Sequence, residues 1–406
     1  MTTSRRATIA DVAAASGVGV GTVSRVINGA ANVRDATRAS VLKVIEQLGY
    51  RPSHLAASLS RGTPRTVAIV VPHLTRPSAV MRLAGALAVL DEQGYDTVVC
   101  NVDSPEQRDH HLAALTSRHR ADGVIVVSLR LAEPQLDAFR HAGVPLVTID
   151  APTPGVPQTL TDDVAGGRLA TRYLLSLGHR RIGFVGDTMR GAAGASRIGL
   201  GFVASQHRLT GYRQALAAAG IDYDARLVRR GPHGPANAEA LAAELLALPD
   251  RPSAIFAASD TQAMGVLAAA DRCGIGVPRE LSVIGFDDIE SAALLGLSTV
   301  RQPLADSGAE GARRLCALLR GERVIPLRQQ LSLEVVRRSS TAALRVAGRG
   351  ARRPAGAVTS TGAGAAAAHA AARPSFTLPG AAFWRSSFAA AGHSFFHVRR
   401  PGVIMC

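Results

Sequence analysis

Asp150 ends the apolar run Leu146–Ile149, Asp287 ends Val283–Phe286, and Ser259-Asp260 follows Ala254–Ala258. Carboxylates and hydroxyls set just past apolar runs suit the binding of a small polar ligand. Their oxygens accept from paired hydroxyls, and an arginine or amide completes the network. Such sites form at the C-terminal ends of parallel strands. The plainer reading of a strand-end aspartate is the N-cap of the next helix. For Asp150, Asp162 and Asp288 the two readings stand level, whereas Asp287 favours binding. Reaction chemistry has no support. The chain holds no Gly-x-Ser-x-Gly elbow and no phosphate loop, and its four cysteines are scattered without metal spacing. His110-His111 sits in a polar helical stretch and reads as solvated. Neither an enzyme nor a bound metal or cofactor is expected.

A second group of chemistry-bearing residues lies in Thr8–Asn28. Ile9, Val12 and Ala13 form one i, i+3, i+4 stripe, and Val23, Val26 and Ile27 form another. Between them Ser16-Gly17-Val18 makes a turn whose glycine needs a positive φ. Thr8 and Asp11 have capping-box spacing. Two short helices sharing a small core, with Thr22, Ser24 and Arg25 outside it, make a helix-turn-helix whose second helix enters the major groove of DNA. The run Gly17-x-Gly19-x-Gly21 does not read as a dinucleotide loop. No buried strand precedes it, and Ser24 stands where the third glycine would be. A third helix over 35–48 presents Val41, Val44, Ile45 and Leu48 to close the head.

The charge distribution agrees. Of a net +15, residues 1–65 hold nine Lys/Arg against three acids, and residues 66–340 are almost balanced at 29 against 28. Residues 341–406 carry eight arginines and no acid. A basic head on a neutral core suits a nucleic-acid partner. From Thr66 onward, apolar runs (Val67–Val71, Thr97–Val102, Val124–Val127, Leu146–Ile149, Ile182–Val185, Ala254–Ala258, Ser282–Phe286) alternate with Ala/Leu-rich helical stretches. That pattern describes parallel sheets covered by helices on both faces. Seven or more strands over this length suit two lobes better than one sheet. No run of about 18 apolar residues occurs, so no membrane partner is expected, and the basic start lacks a signal-peptide core. A soluble cytoplasmic protein is the expectation.

Residues 8–60 closely resemble the DNA-binding head of the lac/galactose repressor family. The resemblance rests on Thr8-x-x-Asp-Val-Ala13, Thr22-Val-Ser-Arg-Val-x-Asn28, Thr37-Arg38 and Leu48-Gly-Tyr-x-Pro52, in the family's order and spacing. It continues to about Arg338. It implies a small all-α helix-turn-helix head (1–50), a hinge helix and linker (51–65), and a two-lobed α/β core like periplasmic binding proteins (66–338). An Ala/Gly/Arg-rich tail over 339–406, without a leucine heptad, reads as disordered. The family chain crosses between lobes three times, here expected near Thr161, Ser291 and Arg323.

Function follows from the same resemblance: a transcriptional regulator, most simply a repressor, that binds operator DNA as a homodimer under control of a small-molecule effector such as a sugar. The alternative is a periplasmic-type solute-binding protein with no DNA role. The family reads bases from the first positions of the second helix, here only Val20 and Gly21. Val20 can touch a thymine methyl, Gly21 reads nothing, and Arg25 can grip a guanine edge. Gly19 replaces the usual serine cap. Thr22, Asn32, Thr37 and Arg38 suit phosphates, Ser24 shares Arg25's face, and Leu59 matches the hinge leucine that wedges open a minor-groove step. In the core the resemblance makes Asp287 and Arg208 the leading effector contacts, followed by Asp150, Asp162, Ser259 and Gln302, with His233 a seventh candidate. Two departures stand out. Arg76-Pro77-Ser78-Ala79 replaces a segment usually bearing aromatics, and His233 stands where a stacking aromatic is usual. His73, Arg76 and Arg190 leave room for an anionic effector.

Overall fold

A computed structural model describes residues 7–27, 30, 32–50, 65–117, 120–188, 203–344 and 403–405. In the head, α1 (Ile9–Ser16), α2 (Val20–Ile27) and α3 (Asp35–Gln47) close around Val12, Val23 and Val41, each fully buried, with Val26, Val33 and Tyr50 beside them. The capping box forms: Thr8 N donates to Asp11 Oδ2 at 2.7 Å, and Asp11 N donates to Thr8 Oγ1 at 3.3 Å. Gly17 ends α1 at φ +68°, as the turn requires. Leu48 departs from expectation. It follows the last turn of α3 and is 41% exposed, so it does not join the head core.

The first lobe is a seven-stranded sheet in the order β11-β5-β4-β3-β1-β2-β13. Its strands are β1 (Thr66–Pro72), β2 (Asp96–Val102), β3 (Gly123–Val127), β4 (Leu146–Ile149), β5 (Gln158–Thr161), β11 (Arg328–Leu331) and β13 (Val403–Met405). The second lobe is six-stranded, β12-β10-β9-β8-β6-β7, built from β6 (Ile182–Asp187), β7 (Val228–Gly231), β8 (Ala254–Ala257), β9 (Ser282–Asp287), β10 (Ser298–Arg301) and β12 (Glu334–Val336). All pairings are parallel except that of β10 with β12. Chain order reverses between β1 and β3 in one sheet and between β6 and β8 in the other. These are the points where crevices open beyond the carboxyl ends of strands.

The first crossing falls at Thr161, where the sequence put it. The other two are corrected. Ser298–Arg301 pairs with β9 and keeps the chain in the second lobe, so it leaves only at Gln302 rather than near Ser291. Arg328–Leu331 pairs with β5, so the return lies at 332–333 rather than near Arg323. The helix Leu304–Leu319 then packs on the helix Pro77–Glu92 through glycines. A Cβ at Gly85 would lie 1.9 Å from the Ala305 carbonyl oxygen, and one at Gly308 would lie 1.8 Å from that of Arg82. This tight crossing fixes Arg82 over the strand ends.

The boundary at 338 is corrected as well. Ser340 Oγ donates to Val283 O at 2.6 Å, and Tyr173 Oη lies 2.8 Å from Thr341 Oγ1. The backbone N–H of Leu344 donates to Leu177 O at 2.8 Å, so the folded core runs to Leu344. Within the expected tail, Val403–Met405 pairs in parallel with Thr97–Val99 at the sheet edge.

Candidate effector cleft and DNA-binding head

Five non-glycine residues have positive φ among those described: His73 (49°), Ser128 (51°), Asp150 (59°), Asp287 (120°) and Asp288 (61°). Each stands at the C-terminal end of β1, β3, β4 or β9, and all but Asp288 line one cleft between the lobes. Backbone strain of this kind costs about 1–3 kcal/mol per residue and persists where surrounding structure over-determines it, typically at functional sites. Here it turns polar side chains into the crevice.

Six of the seven expected effector residues meet in that cleft: Asp150, Arg208, His233, Ser259, Asp287 and Gln302. Gln302, at the second crossing, ties the lobes together. Its Oε1 accepts from Arg82 Nη2 at 3.2 Å and from Thr161 Oγ1 at 3.1 Å, and its Nε2 donates to Asp287 Oδ1 at 2.6 Å. Arg208 donates through Nε to Asp163 Oδ1 at 2.8 Å and through Nη1 to Ala258 O at 2.5 Å. Its Nη1 lies 3.6 Å from Asp287, and its guanidinium stacks 3.7 Å over the Phe286 ring. Asp150 is no N-cap. It accepts from Ser128 Oγ at 2.9 Å and Thr161 Oγ1 at 3.1 Å, and pairs with Arg82 at 3.0 Å. Ser259 lines the cleft and also caps the helix Asp260–Arg272. At the mouth Asp187 receives Gln262 Nε2 at 2.7 Å and stands 3.2 Å from His233 Nδ1, while Arg76 approaches from the other lobe at 3.8 Å.

Asp162 is the exception. It is exposed, caps the helix Asp163–Ser176 by accepting from Ala165 N at 2.9 Å, and does not line the cleft. Its neighbour Asp163 turns inward instead. Asp288 is no cap either: it pairs with Arg301 at 2.7 Å and Arg338 at 2.7 Å. Arg190 lies outside the described residues. The sequence reading missed Arg82, Asp163 and Asp187. Arg82 gave a signal in retrospect, a lone charge in the apolar helical run Val80–Leu83, and Asp187 obeys the strand-end rule once β6 is extended by two residues.

Burial pushes the Asp163 carboxyl up to about 6 against the opposing pull of Arg208, and raises Asp287 as well. At Asp187 burial also acts upward, but the His233 hydrogen bond and nearby cations outweigh it and leave the group below its usual range. Behind the cleft, burial and the charge of Asp287 push Asp260 up to about 7, although Thr299 Oγ1 at 2.6 Å and Ile289 N at 2.9 Å donate to it. A raised folded value means the native state holds a proton that the unfolded chain has lost. That contribution is fully present below the unfolded value and is lost as pH rises through about 7. Asp260→Asn is therefore expected to raise the melting temperature at about pH 8 and to give little or no gain at about pH 4. Equal gains at both would remove the titration from the account.

In the head, α2 exposes Val20 (47%), Gly21 and Arg25, half-buries Thr22 and Ser24, and turns Val23 and Val26 inward. A Cβ on Gly21 would lie 4.0 Å from Arg25 Nη2, an ordinary contact, which places the guanidinium back over the preceding turn, toward the start of the helix. Asn32 is exposed, Thr37 is half-buried, and Arg38 donates to Ala30 O at 2.6 Å, which ties it to the loop before α3. Leu59 lies outside the described residues.

A three-helix DNA-binding head joined to a two-lobed, parallel-sheet ligand cleft defines a class of transcriptional regulator. The comparisons make the family explicit. Residues 8–53 match the model of bacterial regulatory proteins of the lacI family, and residues 171–341 match a periplasmic binding protein-like domain. The chain is 36% identical over 348 residues to the HTH-type transcriptional regulator CelR of Thermobifida fusca, covering 83% of this chain and 98% of that one. It is 32% identical over 349 residues to the HTH-type transcriptional regulator DegA of Bacillus subtilis (84% and 99% covered). A crystal structure of the lac repressor dimer bound to operator and the anti-inducer ONPF superposes with a TM-score of 0.70 at 25% identity, covering 84% of this chain and all of that one. A CelR–cellobiose complex gives a TM-score of 0.59 at 34% identity (82% and 100%). The chain belongs to the lacI family of bacterial transcriptional regulators, with a DNA-binding head and an effector-binding core. The alternative of a solute-binding protein without a DNA role is set aside by the head. Among the described residues no helix is long and apolar enough to cross a membrane, and no group of His, Cys, Asp and Glu is arranged to hold a metal ion.

Proposed function

We propose that the chain is a repressor that binds a near-palindromic operator as a homodimer, and that a small hydroxylated ligand in the cleft sets its DNA affinity. The observation that carries this reading is Gln302, a buried amide at a crossing that bonds residues of both lobes together with Asp287. A ligand that inserts among Asp287, Arg208, Asp150, Ser259 and Gln302 exchanges those bonds for its own and changes the lobe angle it favours. An effector shifts the DNA-bound population only through such differential affinity. Two heads on a two-fold axis would read two half-sites, as a symmetric dimer requires. Val20 and Arg25 are the base readers, with the Arg25 guanidinium lying over Gly21. Thr22, Ser24, Asn32, Thr37 and Arg38 position the head on phosphates, with Arg38 also bracing its own loop.

The hinge gives a direct test of the DNA geometry. As the family resemblance places Leu59 in the minor groove, Leu59→Ala should reduce operator bending and affinity while the head and the dimer stay intact. Bend angles from permuted-site fragments would check it. An unchanged bend in the mutant complex would remove Leu59 from the wedge role.

A further inference from the structure

We propose that the cleft recognises a carboxylate, held by Arg82 and the adjoining helix N-terminus, so that the effector is a small hydroxy acid rather than a neutral sugar. This rests on the reading of the cleft as the effector site. Arg82 comes from the first lobe, its side chain is only 5% exposed, and it lines the cleft. Its Nη2 is spent on Asp150 at 3.0 Å and Gln302 at 3.2 Å, and Nη1 reaches Ser78 O at 3.5 Å. Its Nε–H is buried and has no acceptor among the described residues. Buried cationic donors are almost always satisfied, and one left unpaired on a cleft-lining residue calls for a ligand oxygen.

The surroundings offer further donors. The helix Pro77–Glu92 that carries Arg82 opens on the cleft with no side-chain cap and no acid in its first turn; Pro77 has no N–H and Ala79 N donates to Arg76 O at 3.0 Å, so Ser78 N–H is the donor this end offers. The helix Ala204–Ala218 likewise begins at the cleft uncapped and without an acid. Unfilled backbone N–H groups at such ends attract an oxyanion. Meanwhile the cleft's own carboxylates are engaged: Asp150 by Arg82, Asp287 by Gln302, and Asp187 by Gln262 and His233. Each of them already has a donor within the cleft, whereas the Arg82 Nε–H has no acceptor. No Phe, Tyr or Trp is among the described residues lining the cleft, so these residues offer the apolar face of a neutral sugar ring no stacking wall. A carboxylate, with one negative charge on two oxygens, matches one Nε–H and a backbone N–H. A phosphate would bring additional oxygens against Asp150 and Asp287.

The test uses the full chain, with calorimetric titration and thermal shift at fixed salt. The ligands are D-gluconate, D-glucuronate and D-galacturonate against D-glucose, D-galactose and D-glucose 6-phosphate. At least one acid is expected to bind ten-fold or more tighter than its neutral parent. That margin should vanish in Arg82→Met and shrink in Arg82→Lys, which keeps a cation against Asp150, and so the fold, but loses the Nε–H. Melting curves confirm that both variants fold. Neutral sugars binding as tightly as their acids, or an undiminished acid margin in Arg82→Lys, would overturn the carboxylate site while leaving the cleft as the effector site. Tighter binding of the 6-phosphate, or silence across the panel, would overturn it too. The cleft reading itself is tested separately through Asp287.

Discussion

An Asp287→Ala protein should bind operator DNA as tightly as the parent and lose its response to effector. Asp287 lies at the meeting point of the lobes, bonded to Gln302 Nε2 at 2.6 Å and 3.6 Å from Arg208 Nη1. A hydrogen bond to a charged group contributes about 1.5–3 kcal/mol, so the ligand Kd should rise roughly ten- to 150-fold. DNA affinity depends on the head and on the ligand-free population of core states, and without the Asp287 carboxylate Gln302 still accepts from Arg82 and Thr161 and its N–H still donates to the backbone O of residue 287 at 3.3 Å, so the lobes stay tied. The fold should survive. Arg208 keeps Asp163 at 2.8 Å and Ala258 O at 2.5 Å, so its buried charge is not stranded. Alanine tolerates the φ of 120° less well than aspartate, so a lowered melting temperature short of unfolding is expected. Melting curves run beside the binding titration separate loss of ligand from loss of fold. Full effector response in a stably folded Asp287→Ala protein would mean the ligand sits elsewhere.

The second large effect is at the DNA. Arg25→Ala should cost about 1–3 kcal/mol of operator affinity and relax the preference at one base position, the size of a bidentate guanine contact. The Arg25 side chain is exposed and its Nη2 lies over Gly21, toward the start of α2, the end proposed above to read bases. A phosphate contact at the same residue would behave differently. It would weaken all sequences alike and flatten the salt dependence by about one unit of slope. Fluorescence anisotropy with single-substituted operators at two salt concentrations distinguishes the two. Uniform weakening would move Arg25 to the backbone.

The head was legible because its signals are local. The stripes, the capping box and Gly17 each work within one or two turns, and each took the form that its residues dictate. The buried strands were legible for a related reason, since parallel strands covered on both faces are continuously apolar. The strands that escaped are polar at the sheet edges or crossings: Gln158–Thr161, Val228–Gly231, Arg328–Leu331. Their extended state comes from pairing with a neighbour far along the chain, which composition does not carry. Missing Ser298–Arg301 moved the second crossing, and with it the reason Gln302 matters. Of the adjacent Asp162 and Asp163, helix start decides which caps and which turns inward, and a one-residue error exchanges the roles. Arg82 was hidden because a charge on a helix reads as solvated until the partner helix shows which face is covered.

The account stands or falls on linkage between cleft and head. With DNA selected by the full chain from a random pool, the ligand's effect on the DNA Kd and the DNA's effect on the ligand Kd can be measured in one buffer. Thermodynamic reciprocity requires the two factors to be equal. The prediction is a common factor of at least five in the parent and no detectable coupling in Asp287→Ala or Arg208→Ala proteins that remain folded. A cleft ligand that binds tightly yet leaves the DNA Kd unchanged, or coupling that persists without Asp287, would contradict it.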